Sequence, residues 1–212
     1  MASSAVKHIP NILTGARVAA GVISFLLLAA AAGGVPVISE RLTPDTQFDL
    51  ERWSFVSFVV AALTDFFDGW LARKLNAVTT WGAILDPIGD KILICGVILG
   101  LAALGPQPQI AIPFALILFR EFAISALRES TASRGIKLPV TMLAKWKTTI
   151  QLFAVGGELL VGTWAAWPLP SDPAVLGPFT LFVHTLLWVA AAITLWTGGQ
   201  YWHQAHKAVG DD

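Results

Sequence analysis

Six stretches of the 212-residue chain are apolar over about the ~20 residues that a bilayer crossing needs. They run over residues 12–32, 54–73, 82–104, 108–127, 147–166 and 176–198, and each predicts a helix. What lies between them reads as connection. Residues 33–52 (GGVPVISERLTPDTQFDLER) are polar and punctuated by Pro and Gly, and 105–109 (GPQPQ) make a tight turn. Residues 128–145 are basic, and the prolines of 167–175 (WPLPSDPAV) are incompatible with a helix. The pattern predicts an all-α fold, a polytopic bundle of six transmembrane helices forming one domain over residues 1–212, without internal repeats.

Composition agrees. The chain is 55% apolar and only 13% charged, too apolar for a water-soluble domain of this length. The first apolar stretch carries Arg17 and is too long for a signal-peptide core, so no cleavable leader is expected. The single cysteine, Cys95, excludes a disulfide framework. Net charge is zero, but its distribution is lopsided. Of 14 Lys and Arg, only Arg41 and Arg52 fall in loops on the side placed outside. The positive-inside rule puts the other side, and both termini, in the cytoplasm. Trp53, Trp81, Trp146, Trp167 and Trp202 sit near span ends, as interfacial anchors do.

Four aspartates break the apolar pattern within DFFDGWLARKLNAVTTWGAILDPIGD, residues 65–90. Asp65 and Asp68 are three apart and Asp86 and Asp90 four apart, so each pair falls on one face of its helix. A short connection around residues 76–81 makes the second and third spans antiparallel neighbours. Folding that hairpin about residue 77 sets Asp68 opposite Asp86 and Asp65 opposite Asp90. Carboxylates clustered in a membrane are costly unless a cation holds them. Hard divalent ions, Mg²⁺ or Mn²⁺, take such an oxygen set, and two could share it. Gly69, Ala72 and Gly82 thin the walls for a bulky ligand, and Arg73 suits a phosphate, so the pattern suggests a diphosphate substrate. Singly, each feature has a plainer reading. The small residues could serve helix packing, Arg73 could be a flank charge, and the carboxylates could be an ion or proton relay of a transporter. Transporters tend to show broken helices and inverted repeats, and neither is found here.

The spacing D-x2-D-G-x2-A-R-x8-G-x3-D-x3-D is met by Asp65, Asp68, Gly69, Ala72, Arg73, Gly82, Asp86 and Asp90, and resembles the signature of the CDP-alcohol phosphotransferase family. The resemblance implies a six-helix membrane fold, a homodimer and a site open to the cytoplasm. It also implies that Asp65, Asp68 and Asp86 bind metal, with Asp90 completing a second metal site and acting as general base. NILTGAR (Asn11, Thr14 and Arg17 on successive turns), REFAISALRE (120–129) and AKWKTTIQ (144–151) are similar to the bacterial branch of that family, the phosphatidylglycerophosphate synthases, which joins CDP-diacylglycerol to glycerol 3-phosphate. In that reading Asn11, Thr14, Asp65, Gly69, Ala72, Arg73 and Gly82 contact CDP-diacylglycerol. Arg120, Arg128, Lys145 and Lys147 take the acceptor's phosphate, unless they bind anionic lipid head groups or set topology. Arg120, at the end of an apolar run and followed by Glu121, needs an ion pair or a ligand. The same family also offers phosphatidylglycerol, serine and inositol phosphate as acceptors. A bacterial inner (cytoplasmic) membrane location follows, with membrane lipids as surroundings and no nucleic-acid partner. Glu158 and the stretch 153–212 have no assigned role at this stage.

Overall fold

The structure is a computed structural model. It describes the backbone of residues 4–75, 80–105, 107–136, 138–139 and 142–210, and the side chains of these except 4–12, 65–75, 80–87, 144–145 and 210. The described residues are helical, joined by turns, with no strand among them. The elements are α1 (Ser4–Ala31), α2 (Pro36–Ser39), α3 (Pro44–Leu75), α4 (Thr80–Leu104), α5 (Pro108–Ser133), α6 (Met142–Gly162), a 3-10 turn (Trp164–Ala166) and α7 (Pro173–Gly210). The predicted spans fall on α1, α3, α4, α5, α6 and α7, except that the fifth ends at Gly162 and continues as the 3-10 turn. Among the described residues, three stretches are long and apolar enough to cross a membrane: Leu13–Ala31, Pro108–Ser133 and Pro173–Val209.

The helix ends follow local chemistry. α3 begins ten residues before its predicted start. Thr43 is its N-cap, accepting the Thr46 N–H on its hydroxyl at 3.3 Å, and Pro44 opens the first turn. α5 runs on to Ser133, where Gly135 (φ 79°) closes it. The Ile136 N–H bonds back to the Thr131 carbonyl at 3.0 Å and the Gly135 N–H to that of Ala132, the double closure that a left-handed glycine permits. The Asp172 carboxylate caps α7 through the Ala174 N–H at 2.9 Å.

Contacts divide the chain into two compact units. In the first (Met1–Pro106 with Leu159–Ser171), α1 packs along both α3 and α4. Hydroxyls join α1 to α3. Ser24 and Ser54 lie 2.8 Å apart and each also donates to the other's backbone carbonyl, while Ser57 donates to the Ala20 carbonyl. Against α4 the approach is close enough to need glycine. A Cβ on Gly96 would stand 2.5 Å from the Gly21 carbonyl oxygen, and one on Gly21 would stand 2.9 Å from the Leu93 Cα. Leu28, Leu93, Val97 and Leu101 fill the seam. Arg52 donates to the Ala166 carbonyl, and Trp167 meets Phe55 edge-on at 5.3 Å, tying the 3-10 turn to α3. Gly96→Ala is expected to part α1 from α4, costing about 1–3 kcal/mol and lowering the melting midpoint in detergent. Gly15→Ala, where nothing lies within 4 Å, is the control and should be neutral or slightly stabilising.

In the second unit (Gln107–Glu158 with Asp172–Asp212), α5 and α7 pack around Ile110, Phe114, Ile117, Val183, Leu187 and Ala191. Glu158, fully buried on α6, is met by His184 of α7, whose Nδ1 lies 2.9 Å from Oε1. Large apolar side chains such as Phe119, Phe122, Phe153, Leu181 and Trp196 point outward, as do the indoles of Trp53, Trp146 and Trp202. In water such an exterior would be a liability; against lipid tails and head groups it costs nothing.

Candidate active site

The acidic motif is carried by the last turns of α3 and the first turns of α4, so its spacings of three and four are spacings along helices. The side chains of Asn11, Asp65, Asp68, Ala72, Arg73, Asp86 and Lys145, the placement of Gly69 and Gly82, and the connection 76–79 lie outside the described residues. The expected face-to-face arrangement of the two aspartate pairs lies outside them too. Described are Thr14, Asp90, Arg120, Arg128 and Lys147.

Asp90 is engaged by a residue to which the sequence assigned no role. Arg17 of α1 reaches across to α4, and its Nη1 donates to Asp90 Oδ1 at 3.4 Å. Arg17 is 1% exposed, whereas the Asp90 side chain is 33% exposed, so one end of the pair is fixed inside the helix packing and the other opens outward. Gly89 makes room for the crossing: a Cβ there would press to 3.4 Å from Arg17 Cδ. Thr14, one turn before Arg17, is likewise buried. An arginine inside an apolar span is itself a signal, because a membrane-embedded cation needs an anionic partner.

Among the described residues no three His, Cys, Asp or Glu stand together as a metal cluster. The fit of a metal therefore rests on the donor chemistry. Asp65, Asp68, Asp86 and Asp90 offer only carboxylate oxygens from two helices, the set that Mg²⁺ and Mn²⁺ take and that softer metals do not prefer.

The second unit holds a polar cluster of its own, centred on Glu121 of α5. Glu121 Oε1 accepts from Arg120 Nη1 at 3.1 Å, from Lys147 Nζ of α6 and from Gln151 Nε2 at 3.4 Å. Gln151 also donates to Thr194 Oγ1 at 2.7 Å, and Arg120 Nη2 to Thr197 Oγ1 at 3.0 Å, both on α7. Arg120 Nε is buried and has no hydrogen-bond partner among the described residues. Arg128 joins through Tyr201, whose ring centroid lies 5.9 Å from the guanidinium carbons of both Arg120 and Arg128. Of the four predicted acceptor-site cations, Arg120 and Lys147 thus meet on one carboxylate, and Arg128 meets Arg120 at the Tyr201 ring. Sequence reasoning missed what α7 contributes. Its signal was there: Thr194, Thr197 and Tyr201 recur at three and four residues, a polar stripe on one face of an otherwise apolar helix.

The family model described as CDP-alcohol phosphatidyltransferase matches residues 7–196. A Rickettsia bellii protein named CDP-diacylglycerol–glycerol-3-phosphate 3-phosphatidyltransferase is 39% identical over 202 residues, covering 95% of this chain and 97% of its own. A Haemophilus influenzae protein of the same name is 35% identical, covering 73% of this chain and 78% of its own. An Arabidopsis thaliana protein, the chloroplastic/mitochondrial form 1 of that transferase, is 32% identical over 97% of this chain and 65% of its own.

Proposed function

Since the chain belongs to the CDP-alcohol phosphatidyltransferase family, we propose that it transfers the phosphatidyl group of CDP-diacylglycerol to glycerol 3-phosphate, yielding phosphatidylglycerophosphate and CMP. The observation that carries this reading is the eight-residue acidic signature on α3 and α4, in a chain matching relatives of that name along nearly its whole length. Residues 1–212 act as one catalytic domain, a homodimer with six crossings per chain, multi-pass in the bacterial inner membrane with the site facing the cytoplasm. The family match over residues 7–196, the apolar exterior and the distribution of Lys and Arg support this. An interfacial site suits a reaction between a lipid and a water-soluble phosphate.

Asp65, Asp68, Asp86 and Asp90 would hold the divalent ions. Bound there, Mg²⁺ or Mn²⁺ supplies neutralisation of the charge that builds on the diphosphate as its bridging bond breaks. Asn11, Thr14, Gly69, Ala72 and Gly82 line the nucleotide and Arg73 assists the diphosphate. Arg120, Arg128, Lys145 and Lys147 receive the phosphate of the acceptor. Asp90 accepts the proton of the 1-hydroxyl of glycerol 3-phosphate, and Arg17 holds that carboxylate in place from α1. The hydroxyl oxygen then bonds to the phosphorus bearing the diacylglycerol, and the bond to the bridging oxygen breaks, CMP leaving with the electron pair.

The test uses purified protein, Mg²⁺ or Mn²⁺, CDP-diacylglycerol and a panel of labelled alcohols, with CMP release and labelled lipid as readouts. Glycerol 3-phosphate should be the preferred acceptor by at least an order of magnitude over serine, inositol phosphate and phosphatidylglycerol. Equal or better use of another alcohol would reassign the acceptor, and absence of CMP release with every alcohol would overturn the transferase reading.

A further inference from the structure

Tyr201 is 4% exposed near the end of α7 and touches two of the cations assigned above to the acceptor's phosphate. Arg120 and Arg128 both lie against its ring, and Arg120 and Lys147 share the Glu121 carboxylate. Two guanidiniums held against one ring repel each other, and an anion carrying more than one charge, bound by both, offsets that repulsion. The means of holding them also matters. Arg120 gives one Nη1 bond to Glu121 and one Nη2 bond to Thr197, and the face of Tyr201 adds a hold through the ring quadrupole that consumes no further N–H donor of either guanidinium. α7 reinforces the pose on either side. Thr197 accepts from Arg120 Nη2 at 3.0 Å, and Gly198 gives space to the Arg120 stem, since a Cβ there would stand 3.0 Å from Cγ.

We propose that Tyr201 is a positioning residue for the acceptor's phosphate: its ring holds Arg120 and Arg128 side by side with their N–H edges turned to the ligand. This rests on the acceptor-site reading above, and it gives α7 a part in selecting a phosphorylated alcohol.

The experiment compares Tyr201→Leu, Tyr201→Phe and Arg120→Ala in full-length protein, measuring kcat and both KM values by CMP release and folding by thermal melt. Tyr201→Leu removes the π face and is expected to raise the glycerol 3-phosphate KM about tenfold, with kcat and the CDP-diacylglycerol KM changed less than about twofold. Tyr201→Phe keeps the face and should bring the glycerol 3-phosphate KM back to within about twofold of the native value. An unchanged glycerol 3-phosphate KM in Tyr201→Leu, or a parallel rise in both KM values, overturns the proposal. A Phe variant as damaged as the Leu variant moves the role to the hydroxyl and overturns it as well. Should Tyr201→Leu not fold, Tyr201→Met takes its place with the same expected split. Failure of both to fold while the Phe variant folds makes the ring a packing element only and counts against the proposal. Arg120→Ala separates the two levels. If it raises the glycerol 3-phosphate KM and Tyr201→Leu does not, only the role of Tyr201 falls; if neither does, the acceptor site itself is wrong.

Discussion

Replacing Asp90 by Asn is expected to lower kcat by roughly 10²–10⁴-fold, the range general-base catalysis contributes, while the protein still folds and still takes up CDP-diacylglycerol. Asn preserves the size of the side chain and an oxygen that can accept the Arg17 Nη1 hydrogen bond, but it cannot accept a proton at neutral pH. Turnover should therefore fall far more than stability. Stability will not be untouched, because Arg17 is 1% exposed and neutralising Asp90 weakens one ion pair of a cation held inside the helix packing. A thermal melt distinguishes the two effects, and a double-mutant cycle with Arg17→Met isolates the pair, with an expected coupling of about 0.5–3 kcal/mol for residues in direct contact. Substantial phosphatidylglycerophosphate synthesis by the Asn variant would refute the assignment of Asp90 as the base. Loss of CDP-diacylglycerol uptake along with turnover would instead make Asp90 mainly a metal ligand.

What could be read in the sequence, and what could not, divides by distance along the chain. The helices follow from apolar length alone, so each predicted span falls on one apart from the end of the fifth, and the Thr43-Pro44 start of α3 was missed only because a polar first turn looks like a connector until its cap is recognised. The acidic motif is compressed into 26 residues and its register is a helix register, so it needed no tertiary information. Arg17 and Asp90 lie 73 residues apart, and nothing short of packing α1 onto α4 reveals that they meet. The close approach of α1 to α4 at Gly21 and Gly96 has no signal in the sequence, because glycine spacing alone does not say which helix lies on it. Glu121 draws partners from 26 and 30 residues away, and Arg120 one from 77. The sequence asked for an ion pair or a ligand at Arg120, and the structure supplies the pair in Glu121. For Glu158 the sequence offered no partner; His184, 26 residues on, is close only because α6 and α7 bring it there.

Arg120→Ala is the other variant with a large expected effect, a rise of roughly 10–100-fold in the glycerol 3-phosphate KM, as expected for losing a charge-assisted hydrogen bond of about 1.5–3 kcal/mol. The CDP-diacylglycerol KM should change little, since the cytidine and diphosphate are assigned to residues of α1, α3 and α4. The substitution is readable because Glu121 keeps Lys147 and Gln151 when Arg120 is gone, so no buried carboxylate is stranded and the bundle should persist. Lys147→Ala would be a poorer probe, taking from Glu121 its cationic partner on α6 and confounding binding with folding. Arg120→Lys should fall between native and Ala, because an ammonium preserves the charge but not the planar fork that engages two phosphate oxygens and stacks on Tyr201. Raising ionic strength should weaken glycerol 3-phosphate binding less than for an exposed lysine patch, since Arg120 and Lys147 are both buried and screened little. An equal rise in both KM values would refute the acceptor role of Arg120, and an unchanged glycerol 3-phosphate KM would reduce the cluster around Glu121 to a structural brace among α5, α6 and α7.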